Sequence, residues 1–421
     1  MLDLKDLKES VESQKKLLEK QPDLSIERLL ELEESTRQLK TKIESLKAKR
    51  NQISKEVGEK KRKGENVNSI LEKVATFGNE IKQLEDELNN EHEEFFSKAL
   101  FIPNIPFQDI PFGLDDKDNV EIKHHLEKPA FSFKPLNHLE LSEKLDLFDF
   151  KRGAKVSGSG FPVYNAKGAE LEWALINFMI DTQKKHGFEM RQVPLMVRPE
   201  MMQGCGQLPK FEGQFFKIHD EDFELYLIPT SESALGALHQ DEIFLLEELP
   251  KKLFAYTPCF RREAGAHGKQ DRGLIRTHQF NKIEMFAYTT QEQSAAMFDE
   301  MVSVAEEMLQ ALGLHYRIML LCTQDMPFAS AKTVDIELWL PGQGRYYECS
   351  SISNCTDFQA RRLSVRYKED GITKLVHTLN GSGLATSRLM VSLLEHYQQN
   401  DGSIMVPDVL QKYLDGKTVI Q

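Results

Sequence analysis

The first hundred residues place apolar side chains at a spacing that only two paired helices can use. From Leu32 the series runs Leu32, Leu39, Ile43, Leu46, Ile53 and Val57, in steps of 7, 4, 3, 7 and 4. A second series, Ile70, Val74, Phe77, Ile81, Leu84 and Leu88, steps by 4, 3, 4, 3 and 4. Steps of three and four keep one stripe turned towards a partner helix. Pro22 is the one proline of residues 1–100, and the Gly-Glu-Asn at 64–66 is a turn signal between the two seams. The pattern predicts an antiparallel helical hairpin over about residues 27–98, inside an N-terminal domain of residues 1–105. Arms of about 36 residues would make a rod of roughly 54 Å. Such a rod cannot close into a globule, so it must project from a body or pack on a partner.

Its charge is uneven. Residues 40–63 hold ten basic and three acidic side chains, a local balance of +7, although residues 1–100 as a whole carry −2. Lys47, Arg50, Lys55, Lys60, Lys61, Arg62 and Lys63 crowd the far end of the hairpin. A solvated coiled-coil face is the plain reading of a Lys/Glu-rich helix. A segregated basic tip favours a polyanion instead. The formal charge of the 421-residue chain, −12, argues the other way if taken as a single number.

Residues 106–160 read as a connector, with Pro106, Pro111, Pro129 and Pro135 interrupting any long helix. Within it, 141–150 reads as helical and 155–161 as a turn into a strand. From 161 to 421 the chain reads as one catalytic-sized domain. Helices are predicted over 169–185 and 291–312, and strands over 223–229, 252–256, 283–288, 333–340 and 345–350. Several strands succeed one another with no helix between them. The fold class expected is therefore α+β: a helical hairpin plus a mainly antiparallel sheet flanked by helices. No apolar run reaches 18 residues, so no membrane span is expected. The opening MLDLKDLKES lacks the apolar core of a secretory signal. Five cysteines without a CxxC pair predict neither a disulfide framework nor a zinc site, and fit a reducing cytoplasm.

The segment 257–284 carries the clearest chemistry. A strand ends in Phe260-Arg261-Arg262-Glu263, a polar loop with Gly, His, Lys, Gln, Asp and Arg follows, and a second strand is expected from near Leu274. Period-two spacing would put Arg261 and Glu263 on one face, and likewise Arg276, His278 and Phe280. Guanidinium groups beside a flat ring suit a phosphate with a base, and suit a core poorly. A salt-bridged hairpin surface is the plainer alternative.

This segment resembles motif 2 of the class II aminoacyl-tRNA synthetases, in the form found in the bacterial-type seryl family. Other matches follow in order. Residues 187–195, with Pro194, resemble motif 1; Thr230-Ser231-Glu232 resembles the family's TxE serine loop; 348–354 and 357–362 resemble its metal and nucleotide strand; 377–385 with Arg388 resembles motif 3. Ser387 stands where the family usually has glycine, and Cys349 where an aliphatic residue is common.

The resemblance implies an ATP-dependent ligase that makes seryl-adenylate and passes serine to the 3′ end of tRNA(Ser); it also allows tRNA(Sec). ATP, L-serine, Mg²⁺ and tRNA are the implied ligands, and a homodimer is the implied assembly. Arg261 would bridge the α-phosphate and the serine carboxylate, and Arg388 would hold the γ-phosphate. Arg262, Glu263, Arg276, Phe280, Glu348, Cys349, Ser350 and Ser351 would complete the ATP site, Phe280 by stacking on adenine. Glu348 and Ser351 would carry the Mg²⁺. Thr230, Ser231, Glu232, Glu284, Asn380 and Ser382, with Arg261, would surround serine. A pocket built to bond a hydroxyl rejects alanine by roughly 10⁴-fold or more. The rival readings are a non-catalytic synthetase-like protein, an enzyme charging a carrier protein, and a coiled-coil scaffold. The last leaves three quarters of the chain unexplained.

Overall fold

The computed structural model describes residues 10–64, 66–263 and 273–421. The opening decapeptide up to residue 9, Glu65 of the expected turn, and the polar loop at 264–272 lie outside them. The chain divides into two units, one ending at Ile102 and the other starting at Pro103.

Among the described residues, the first unit shows three helices: α1 (Val11–Lys20), α2 (Glu27–Arg62) and α3 (Asn68–Ala99). Ser10 caps α1, its Oγ accepting from the Ser13 N–H at 3.1 Å. Ile43 and Leu46 of α2 pack on Ile81 and Leu84 of α3, flanked by Leu39, Phe77 and Leu88. This is the seam the heptad spacing predicts. Arg28 near the start of α2 pairs with Glu94 near the end of α3 at 2.8 Å, so the helices run antiparallel. Lys47 pairs with Glu85 at 2.7 Å. Exposed pairs of this kind contribute about 1 kcal/mol at most, so the apolar seam holds the hairpin. α2 ends on Lys60, Lys61 and Arg62, cations that suit a helix C-terminus. Gly64, at φ +75°, then turns the chain.

The second unit is built on an eight-stranded sheet. Its strands are β1 (Val120–His125), β2 (Glu189–Met190), β3 (Lys251–Phe260), β4 (Gln279–Thr289), β5 (Tyr316–Leu320), β6 (Lys332–Leu340), β7 (Arg345–Asn354) and β8 (His377–Ala385). Their order is β1-β5-β6-β7-β8-β4-β3-β2. Every pairing is antiparallel except that of the short edge strand β2 with β3.

Alternation assigns the two faces. On β6, Val334, Ile336, Leu338 and Leu340 join the larger core, as do Ile283, Met285 and Ala287 of β4. Helices α4 (Ala166–Lys185), α5 (Ser294–Ala311) and α6 (Thr386–Tyr397) supply that core's other wall. The intervening residues, Asp335 and Glu337 on β6 and Lys282 and Glu284 on β4, turn to the opposite face. There a second core, around Phe244, Phe286, Tyr288 and Tyr367, fills part of the sheet. The remainder is left open for a site.

Four expectations need correction. Residues 106–160 are no separate connector: β1 lies within them and pairs with β5 in the main sheet. The helix expected over 141–150 is His138–Leu145, stopped by Asp146 in the left-handed region at φ +54°. Part of 155–161 belongs to a helix, Phe150–Ser157, before Gly158 and Gly160 release the chain. The strand expected over 223–229 exists as Glu224–Leu227, but in a separate three-stranded sheet.

Candidate active site

Two irregularities of the sheet aim its polar side chains. On β7, Ser350 faces Ile336 of β6, but Glu348 faces Glu337, so Cys349 is an extra residue. In an unbroken strand Glu348 and Ser351, three apart, would point to opposite faces. The bulge puts both on the open face. Ser350 turns away and donates its Oγ–H to the Ser382 carbonyl at 2.6 Å. On β8, Ser382 faces Glu284 of β4 while Ala385 faces Lys282, which leaves Gly383 and Leu384 against Ile283. Leu384 sits at φ +81°, a strained setting for a bulky residue. The chain enters α6 two residues later, at Thr386, and α6 carries Arg388.

Two adjoining cavities open on this face. Arg276, Phe280, Glu263 and Arg388 line the first. Thr230, Glu232, Glu284, Ser351 and Asn380 line the second. Arg261, Lys282, Glu348 and Ser382 belong to both walls. A forked cation thus stands where the two spaces meet.

The first cavity is strongly cationic. Arg388 donates to the Glu348 carbonyl at 2.8 Å and to its Oε2 at 3.2 Å, and reaches the Ile275 carbonyl at 3.4 Å. The Arg276 Nε lies 3.5 Å from Glu263, itself left-handed at φ +48°. The Arg261 guanidinium stands 5.3 Å from the centre of the Phe280 ring, and its Nε donates to the Pro229 carbonyl. Burial pushes the Glu348 carboxyl up, but Arg388, Arg261 and Lys282 outweigh it and hold it below its ordinary value.

The second cavity is a web of carboxylates. Lys282 pairs with Glu284 and donates to Thr230 Oγ1 at 2.7 Å, and Thr230 in turn donates to Glu284 at 2.9 Å. Glu232 Oε1 accepts from Gln359 at 2.7 Å and from Asn380 at 3.0 Å. Burial, and next the charge of Glu284, push the Glu232 carboxyl up to about 7. This pocket offers acceptors to an ammonium and to a hydroxyl, with Arg261 at its edge for a carboxylate.

Some expected residues fall elsewhere. The second strand of the motif begins at Gln279; residues 273–275 form a 3₁₀ turn and 276–278 are irregular. Arg276 and Phe280 still share the cavity, but His278 does not. Its N–H donates to the Gly160 carbonyl and its ring lies 5.3 Å from Phe161. Arg262 lines neither cavity and is tied by its N–H to the Gln214 carbonyl. Ser231 is buried outside both walls, at the start of the helix Glu232–Ala237. Cys349 does line the first cavity; burial pushes its thiol up to about 12. Ser387 adopts ordinary helical backbone in the first turn of α6, so the missing glycine needs no compensation. Lys282 lines both cavities and Gln359 bonds Glu232, and neither was a candidate from the sequence. Period two on β4 was the available signal for Lys282, which lies two residues from Phe280 and two from Glu284.

Glu348 and Ser351 fit a hard divalent cation, which takes oxygen ligands. Asp335 lies across from Ser351 in register. Its Oδ1 is buried without a hydrogen-bond partner among the described residues, which is the kind of lone acceptor that a cation or its water would satisfy. Burial, and next the Glu348 charge, raise the Asp335 carboxyl well above its ordinary value. Among the described residues no group of three or more His, Cys, Asp or Glu side chains is arranged around a metal position.

Comparison with known proteins agrees along the whole chain. Residues 1–106 match the seryl-tRNA synthetase N-terminal domain, and residues 215–397 match the tRNA synthetase class II core domain (G, H, P, S and T). The serine–tRNA ligase of Chlamydia pneumoniae is 45% identical over 422 residues, covering 100% of this chain and 99% of that one. The crystal structure of seryl-tRNA synthetase from Pyrococcus horikoshii complexed with ATP shares 37% identity at a TM-score of 0.93, over 100% of this chain and 99% of that one. The cytoplasmic serine–tRNA ligase of Naegleria fowleri in complex with AMP shares 30% at a TM-score of 0.85, over 97% and 95%. Full-length identity at this level, on a shared fold, places the chain in the seryl-tRNA synthetase family of class II.

Proposed function

We propose that the chain is a serine–tRNA ligase that activates L-serine with ATP and transfers it to tRNA(Ser). The observation that carries this reading is Arg261 at the junction of the cationic and the carboxylate-lined cavities. Activation joins two anions, the α-phosphate of ATP and the carboxylate of serine, and a forked cation between them offsets their repulsion. A serine carboxylate oxygen attacks the α-phosphorus and pyrophosphate leaves. Arg388 and Arg276 take the charge of the outer phosphates, and Phe280 stacks the adenine.

Glu232 and Thr230 receive the α-amine, with Asn380 and Gln359 fixing Glu232. Glu284 and Ser382 meet the serine hydroxyl. The terminal ribose hydroxyl of tRNA then attacks the adenylate carbonyl and AMP leaves. Positioning and charge neutralisation suffice for both steps; no covalent enzyme intermediate is needed. Glu348 and Ser351 would hold Mg²⁺, which would supply charge neutralisation at the phosphates. The basic end of the helical hairpin binds the tRNA, and tRNA(Sec) is a second candidate. Exposed apolar residues near motif 1, Trp173, Met190 and Met196, support a homodimer. Among the described residues no helix is long and apolar enough to cross a membrane.

Serine-dependent ATP–pyrophosphate exchange tests the assignment. Arg261→Ala should abolish exchange, and near-normal exchange would refute the bridging role.

A further inference from the structure

His138 and Glu395 form a buried polar pair that nothing in the mechanism above uses. His138 opens the helix His138–Leu145, and Glu395 lies on α6, seven residues after Arg388 and so on the same helix face. Glu395 Oε1 accepts from the His138 backbone N–H at 3.1 Å and from its ring Nδ1 at 3.3 Å. Glu395 Oε2 accepts from the Gly342 N–H at 2.8 Å. With its hydrogen on Nδ1, the ring presents Nε2 as an acceptor, and the Leu274 N–H donates to it at 3.4 Å. The next residue, Ile275, gives its carbonyl to Arg388 at 3.4 Å. A Cβ on Gly273 would come within 2.3 Å of Nε2.

We propose that His138 is a positioning residue for ATP. It fixes the 3₁₀ turn Gly273–Ile275 from which Arg276 and Phe280 enter the cavity. α6 clamps that turn twice: directly through Arg388, and through Glu395 by way of the imidazole. Among the described residues, the hydrogen bonds that join Thr230, Lys282, Glu284, Glu232, Gln359 and Asn380 on the serine side include no member of this relay. Loss of the relay therefore weakens ATP binding selectively. The inference rests on the reading of the cationic cavity as the ATP site.

The test is ATP–pyrophosphate exchange with ATP and serine varied separately. His138→Asn keeps an amide donor near Glu395 but leaves the Leu274 N–H without an acceptor. A buried N–H in that state is worth about a tenfold change in an equilibrium. H138N should raise the KM for ATP about tenfold and leave the serine KM and kcat within about twofold. His138→Gln, whose side-chain oxygen reaches the place of Nε2, should recover most of the loss. An unchanged ATP KM in H138N would overturn the proposal. So would equal changes in both KM values together with a lower melting temperature in both variants. Should H138N fail to fold, Gly273→Ala pushes a methyl into the ring instead; an unchanged ATP KM there is equally fatal. A wild-type chain without serine-dependent exchange would sink the parent reading itself, and is distinguished by that control.

Discussion

Glu232 shows how a single residue couples binding to stability. Its carboxyl is pushed from an ordinary 4.5 up to about 7 by burial and by Glu284. A raised value means the folded state holds the proton more tightly than the unfolded chain does. The stability tied to that proton is fully present below the ordinary carboxylate range and is lost as pH rises through about 7. An ammonium ligand needs the ionised form. The KM for serine should therefore rise about tenfold per pH unit as pH falls below about 7. Glu232→Gln should flatten that profile, weaken serine binding at pH 8, and raise the melting temperature of the free protein above pH 7. A profile unchanged by the substitution would remove Glu232 from the ammonium site. Glu232 entered as a candidate through the resemblance of Thr230-Ser231-Glu232 to the family's serine loop. Its altered carboxyl was not legible in the sequence, because burial beside Glu284 depends on how β4 and the Thr230 loop come together.

At the scale of elements, the regular pieces were readable and the irregular ones were not. The seam of Ile43, Leu46, Ile81 and Leu84 follows from spacing alone, and Leu84→Ala should destabilise the hairpin by about 2–4 kcal/mol in a thermal melt. The alternation of β6 likewise separates core from site. The bulge at Cys349 had no local signal, since a strand of Tyr, Cys, Ser and Ile carries no glycine or proline to mark one. Strict period two would have put Ser350, not Ser351, beside Glu348. Ser351→Ala should therefore weaken Mg²⁺-dependent ATP binding, measured as the Mg²⁺ concentration for half-maximal exchange, whereas Ser350→Ala should act only through the lost bond to Ser382. Similar shifts for both would contradict the bulge as the device that selects Ser351. The start of β4 was misjudged for a related reason: His278 is claimed by Gly160 and Phe161, contacts from far along the chain.

For the whole molecule, net charge misleads and its distribution informs. The −12 total hides a +7 segment on the hairpin. Lys47 is engaged by Glu85 and Lys42 lies near Glu80. Arg50, Lys55, Lys60, Lys61, Arg62 and Lys63 have no acidic partner among the described residues. Deleting residues 40–85 should spare exchange and cripple charging, and charging by the intact chain should fall steeply with salt. Normal tRNA affinity in the deletion would give the hairpin another role. The central claim is tested most directly by aminoacylation of total tRNA with each amino acid in turn. Serine alone should become attached, to tRNA(Ser), in an ATP-dependent manner. Attachment of a different amino acid, or serine activation with no transfer to tRNA, would contradict it.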